Sequence, residues 1–429
     1  MKSPLLQLSG VSRRLFVERL AKTSLGLSIL PFLPGQTCAA DEAKSAPSAG
    51  PGFGKAKAVI MLQLTGGLSH IDSFDPKSGE SKGPGDAIKT TADYQVTSFL
   101  PNTAKIADKI TVIRSMTAKV GVHESAQYLM RTGFEKRGTI THPMLGAWAQ
   151  HYLGASHATL PSSVCVNRPS RSGNGFFPAT LSPLPILDPN TGLQHSRSAA
   201  PQNVTDKRLA LLSDLDRDFS TKVKDSSVKA YDEFYQSTLN LMKGKDLECF
   251  DLSKESADLR AKYGQNRFGQ GCLLARRLVE GGVRFVEVES GGWDMHRDIQ
   301  GGMEDRGAEF DAAFAALVAD LESRGLLDST LVVVATEFGR KPQFDGSGRG
   351  HHPIVFSTAL AGGGIKRGHV HGSSSDNGGQ VKDNPVTVGE FHATIGWALG
   401  LPLDKDAISP SGRPFQVGNK AKPVAAVFA

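Results

Sequence analysis

Apolar and polar positions fall into two kinds of block along this chain. Ala58–Leu64 (AVIMLQL) is an apolar run that stops at Thr65-Gly66-Gly67, the pattern of a strand covered on both faces. Residues 110–113, 283–288, 331–335 and 354–360 give further short strands. Between them lie stretches with helical spacing. Residues 123–130 end before Gly133, residues 141–153 before Gly154, and residues 266–280 at Gly281-Gly282. Phe310, Phe314, Leu317, Val318 and Leu321 recur at i, i+4, i+7, i+8 and i+11 and form one apolar helix face. Thr387-x-x-Glu390 is a capping box that opens a last helix through Leu399.

Strands alternating with helices of this length predict an α/β fold, a doubly wound and largely parallel sheet flanked by helices. One domain is expected over residues 58–425. Residues 160–205 are rich in Pro, Ser, Gly and Asn without periodicity, and they read as a loop-rich excursion. Residues 41–57, rich in Ala, Ser, Pro and Gly, read as a linker.

Composition changes the picture mainly at the N-terminus. The chain has 429 residues and a formal charge of +6. Residues 1–40 carry Lys2, Arg13, Arg14, Arg19 and Lys22 against Glu18. They read as a signal peptide: a charged segment, an apolar run over 25–33, and small residues before a cut at Asp41. Arg13-Arg14 followed by Phe16 resembles a twin-arginine (Tat) signal, with Val17 and Glu18 departing from its usual pattern. The expected partner is then the Tat machinery, with an ordinary Sec signal or a short anchor as the alternative, and the expected location periplasmic or otherwise extracytoplasmic. Removing this segment removes most of the excess charge, which argues against nucleic acid as a partner. No later apolar run approaches membrane length, so no membrane association is expected after cleavage. Cys165, Cys249 and Cys272 remain, allowing at most one disulfide.

The candidate chemistry falls where strands end. In such sheets ligands bind beyond the carboxyl ends of the strands. His70 and Asp72 follow the first strand, Asp294 and His296 follow the strand at 283–288, and Glu337 and Arg340 follow the strand at 331–335. His351 and His352 come shortly after. Imidazoles and carboxylates from several strand ends can converge on one or two metal ions. Arg340 and Arg349 flank these positions and read either as clamps for an anionic substrate or as members of surface salt bridges.

Six segments carry a family resemblance: GGLSHIDSFDPK (66–77), HESAQYLMRTG (123–133), ARRLVEGGVRF (275–285), GWDMH (292–296), TEFGR (336–340) and HHP (351–353). Over roughly residues 55–400 the chain resembles the bacterial domain-of-unknown-function family numbered 1501. That family is grouped with the alkaline-phosphatase-like superfamily, which includes sulfatases and phosphodiesterases. The resemblance implies an alkaline-phosphatase-like doubly wound core with a metal site. Within it, Asp294 and His296 resemble the Asp-plus-His metal motif, and Glu337-Phe338-Gly339 the Asp-His-Gly or Asp-Asn-Gly motif. His351 or His352 matches the later His ligand. The family commonly has Asp where Gly350 stands.

The nucleophile departs from the superfamily pattern. A Ser, Thr or modified Cys is usual ten residues before the Gly that closes its helix, and Gly133 counts back to His123. Ser125 serves only if the register shifts. His123 is therefore a metal ligand, a general base or a covalent nucleophile, the first two suiting neutral imidazole. The resemblance implies an exported metal-dependent hydrolase of phosphate or sulfate esters, with a small anionic ester as substrate. Its cofactor is a divalent metal, zinc in one or two ions, with calcium or manganese as alternatives. The competing reading is a non-catalytic metal- or ligand-binding protein on the same scaffold, part of an extracytoplasmic assembly.

Overall fold

The computed structural model describes residues 50–167, 173–194, 196, 200–222, 239–242 and 244–429. The expected signal peptide, its cut before Asp41 and the first part of the expected linker lie outside the described residues. Residues 48–429 form one compact unit.

A nine-stranded mixed sheet organises that unit. Its centre is β1 (Ala58–Leu64), every residue of which is buried. Alternation along β1 feeds two cores. Ile60, Leu62 and Leu64 join one apolar cluster, while Val59 and Met61 join a second on the opposite face. In chain order the other principal strands are β2 (Ile110–Thr117), β3 (Ser163–Val166), β4 (Leu184–Ile186), β5 (Phe285–Ser290), β6 (Thr330–Thr336) and β7 (Phe356–Ala361). Their lateral order is β2-β7-β6-β1-β5-β3-β4, and His369–His371 pairs with the outer side of β2. Strand β7 runs antiparallel to both β2 and β6, and the other pairings within the sheet are parallel. The expectation of a largely parallel sheet flanked by helices holds.

Helices cover both faces. On the side of Ile60 and Leu62 lie α3 (Arg267–Glu280) and α4 (Ala308–Ser323), whose Phe310, Phe314, Leu317, Val318 and Leu321 are fully buried. The opposite side carries α1 (His123–Thr132), α2 (Leu145–Leu153) and α5 (Val388–Leu399). Gly133 closes α1 at φ 78°, a left-handed cap that glycine adopts without Cβ strain. The Thr387–Glu390 capping box forms as read from the sequence, with both reciprocal bonds present.

Three expectations need correction. The 160–205 excursion is not all loop, because β3 and β4 within it extend the sheet edge beside β5. They are too short, at four and three residues, to show a period. The described part of the linker is packed, not free: Trp397 Nε1 donates to the Pro51 carbonyl at 2.9 Å, and Phe53 meets the Trp397 ring edge-on at 4.7 Å. The folded unit also runs past residue 425, since Val427 and Phe428 are buried. Cys165, Cys249 and Cys272 are all free thiols, and burial pushes the Cys165 and Cys272 thiols above their ordinary range. Among the described residues no helix is long and apolar enough to cross a membrane.

Candidate metal centre

The parallel strands bring the ends of β1, β5 and β6 to one edge, and the loops after them meet there. Gly66 and Gly67 make the meeting close. Gly66 sits at φ 121°, and a Cβ on it would lie 2.4 Å from the Asp294 amide nitrogen. A Cβ on Gly67 (φ 88°) would lie 2.6 Å from the Phe338 ring. Only glycine lets the three loops touch. After β6 the chain forms a hairpin, Gly339–Asp345 paired with Gly348–His352, with an irregularity between Arg349 and His351. The bulge re-aims the strand.

His123, Asp294 and His351 converge here, each offering one ligand atom within 4.8 Å of the others. His123 opens α1, and its Nε2 lies 3.2 Å from Asp294 Oδ2. His351 Nε2 lies 3.2 Å from Asp294 Oδ1, and His296 Nε2 lies 3.1 Å from the same oxygen. Neighbours set the imidazole orientations. His351 Nδ1 faces the Gly121 carbonyl at 2.8 Å, an acceptor that requires the proton on Nδ1. His123 Nδ1 faces Glu337 Oε1 at 2.9 Å, which places its proton there too. Both Nε2 atoms then present lone pairs to the same space. The His123 Nε2 is buried and makes no hydrogen bond.

These donors fit a divalent cation. Two imidazoles with tautomers fixed by a carbonyl and a carboxylate, plus one ionised carboxylate, form a set that can hold a divalent metal ion. Asp294 is well suited to its part. Desolvation pushes its pKa up, but the hydrogen bond and charge of Arg340, aided by His123 and His351, outweigh this and hold it at about 2. Desolvation lowers the His296 pKa, and Arg340, His351 and His123 add to that against the pull of Asp294.

Glu337 is fully buried behind the cluster. Its Oε1 accepts from the Gly66 amide at 2.7 Å and from Gln127 at 3.3 Å as well as meeting His123. It orients His123 instead of facing the open side. Phe338 lies under both rings, 5.1 Å from His123 and 4.5 Å from His351.

Other candidates sit elsewhere. Arg340 does not face solvent as a substrate clamp would. It is fully buried and donates to the carbonyls of Gly66, Gly67, Trp293 and Arg349 and to Asp294 Oδ1. Its one side-chain partner at the site is Asp294, and its charge also acts on His296. Arg349 is likewise buried, bonded to Asp72 at 2.9 Å and to the carbonyls of Ser81, Lys341 and Pro342. Asp72 is therefore half of an internal ion pair, not a ligand beside the cluster. His70 points its Nε2 to the Gly378 carbonyl and His352 its Nε2 to the Gly379 carbonyl, at 2.9 and 2.8 Å. Both imidazoles hold down that turn. The helix starts at His123, so no register shift brings Ser125 to the position counted from Gly133. Sequence reasoning missed Gln127, whose spacing of four from His123 was its signal.

Residues 56–428 match the model of a family described as "Protein of unknown function (DUF1501)". The chain belongs to this family. No curated relative matches it. Among solved structures, it is similar to the lipoteichoic acid synthase LtaP from Listeria monocytogenes at 10% identity and a TM-score of 0.38, covering 85% of this chain and 76% of that one. It is similar to the PsFucS1 sulfatase from Pseudoalteromonas sp. at 14% identity and 0.40, covering 81% and 69%. It is also similar to the alkaline phosphatase of the Antarctic bacterium TAB5 at 14% and 0.32, covering 72% and 92%. All three of these TM-scores are below 0.5. The fold assignment rests on strand order and register.

Proposed function

We propose that this protein is a metal-dependent hydrolase of small phosphate or sulfate esters, with His123, Asp294 and His351 holding one divalent cation. The observation that carries the reading is the convergence of two Nε2 lone pairs and a carboxylate kept ionised on one space. A bound zinc ion would supply Lewis acidity at the ester oxygen and a lowered pKa for water. The chain's residues do the rest. Arg340 holds Asp294 in place and charged, and Glu337 fixes the proton of His123 on Nδ1. His296, about half exposed on the open side, is placed to accept a proton at Nε2. Water adds to phosphorus or sulfur, its proton passes to His296, and the ester oxygen leaves with the bonding pair. The protein reaches this chemistry after Tat-dependent export, with the mature chain starting at Asp41.

Elemental analysis of the mature protein, paired with a panel of aryl phosphates and sulfates, tests this reading. Near-stoichiometric metal and turnover lost on chelation are expected. Metal below about a tenth per chain would end it. N-terminal sequencing of exported protein tests the cut. A second reading, a non-catalytic metal-binding protein, is favoured by the imidazole that stands where a hydroxyl nucleophile is usual. Stoichiometric metal with no turnover across the panel is the result it expects.

A further inference from the structure

Helix α1 turns an unusual stripe toward the sheet. His123, Gln127 and Arg131 recur every four residues, so their side chains lie one above another on one face. Each meets a carboxylate from a strand or from the loop that follows one. His123 and Gln127 share Glu337 Oε1. Arg131 Nε donates to Glu287 Oε1 at 2.8 Å, and its Nη2 donates to Glu289 Oε2. Glu287 and Glu289 lie on β5 opposite Met61 and Gln63 of β1, so all four side chains share the face that α1 covers.

Gln63 belongs to the same layer. It is fully buried, and neither its amide oxygen nor its amide nitrogen has a partner among the described residues. Glu337 Oε2 is equally buried and equally without one. The interface between α1 and the strands therefore contains a polar seam where apolar packing would ordinarily weld helix to sheet. Apolar contact comes from a second stripe, Ala126 and Met130, with Leu129 partly buried beside it.

We propose that Arg131 is a positioning residue for the metal centre: by bridging Glu287 and Glu289 it fixes the helix that carries His123 to the strand that leads into Asp294. The inference rests on reading His123 and Asp294 as ligands of one ion. The three side chains of the bridge are 14%, 6% and 10% exposed, so these charge-assisted bonds are largely desolvated and stronger than a surface pair. Strand β5 ends at Ser290 and Asp294 follows within four residues, with the Trp293 amide held by the Thr65 carbonyl at 3.2 Å. A slide or tilt of α1 at its Arg131 end moves His123 at the other end. The 3.2 Å between His123 Nε2 and Asp294 Oδ2 depends on that tie.

The test compares Arg131→Lys, Arg131→Met and Glu289→Gln with the parent chain, using Co2+ alone as the probe. Calorimetry reads affinity, visible absorption reads coordination geometry, and melting of the metal-free proteins reads the fold. Each variant is expected to melt cooperatively, to bind Co2+ about 10–100-fold more weakly and to shift its absorption bands. Lysine is expected to restore part of the affinity lost in Arg131→Met, because it keeps the charge but not the fork. Variants that lose stability yet bind Co2+ with parental affinity and spectrum would overturn the positioning role and leave the metal centre standing. A parent chain that takes up no Co2+ would overturn the metal reading, and this inference with it. If Arg131→Met fails to fold, Glu289→Gln carries the test, since it keeps the arginine and its bond to Glu287.

Discussion

The Nε2 atoms of His296 and His351 lie 2.9 Å apart. Two imidazole lone pairs at that separation repel unless a proton or a cation lies between or beside them. The Gly121 carbonyl already fixes the His351 proton on Nδ1. Without metal a proton on His296 Nε2 satisfies the pair, whereas a cation taking the His351 lone pair would leave His296 Nε2 free to accept a proton. Replacing His351 by Ala is expected to lower metal affinity by at least about 10-fold. His296→Ala is expected to leave metal content largely intact while suppressing turnover. Metal analysis and ester assays on the same preparations separate the two effects.

Asp294→Asn is expected to empty the site and to destabilise the fold. The amide cannot accept from Arg340 as a carboxylate does, which leaves a buried guanidinium with only carbonyl partners. The loss expected for an internal cation deprived of its counter-ion is about 3 kcal/mol, reduced here because the Asp294 side chain is 45% exposed. Urea midpoints with and without chelator measure it. Identical midpoints for variant and parent without metal would show that Arg340 does not need Asp294.

Asp72 offers the contrasting case. Its side chain and that of Arg349 are fully buried, and they pair at 2.9 Å away from the cluster. Asp72→Asn is expected to cost about 3 kcal/mol of stability and to leave metal stoichiometry unchanged. Loss of metal in a variant that remains folded would restore Asp72 as a ligand.

Buried imidazoles, His70 and His392 among them, set an acid limit on stability. Burial lowers the pKa of His70 to about 4, with nearby Asp75 opposing, and burial lowers that of His392 to about 4. In the unfolded chain both titrate near 6.5, so that chain takes up protons first as pH falls. The stability they contribute is complete above about pH 6.5 and is lost between there and about pH 4. Each group accounts for roughly 3 kcal/mol at the acid end. Denaturant midpoints at about pH 7.5 and about pH 5 are expected to differ accordingly. His392→Leu, which lies away from the metal centre against the Met130 carbonyl, is expected to flatten part of that slope.

Much of the scaffold was legible in the sequence because periodicity reports burial. The β1 run, the α4 stripe and the Thr387 capping box all formed where the spacing put them. The strand-end loops were legible too, since parallel topology forces their convergence. What the sequence does not encode is direction. Arg340 and Arg349 read as surface clamps because arginine is usually exposed, yet both turn inward to carbonyls and carboxylates. The partner of Arg349 is Asp72, 277 positions away. Nothing local signals such a pair. Glu287 and Glu289 carried an overlooked sign: carboxylates at alternate positions of a strand otherwise built from Phe285, Val286 and Val288, and ended by Ser290, need a cation on that face.

The central place of β1 also has a kinetic consequence. Its two sheet neighbours, β5 and β6, follow more than 200 residues later and pair with it through Val59↔Phe285 and Val59↔Leu331. More than half of the chain must emerge from the ribosome before either edge of β1 is covered. Long-range parallel pairing of this kind is slow and leaves an apolar edge open meanwhile. The nascent chain therefore needs shielding through most of its synthesis. A polar substitution in β1 will show itself as lost yield, well before any chemistry can be assayed.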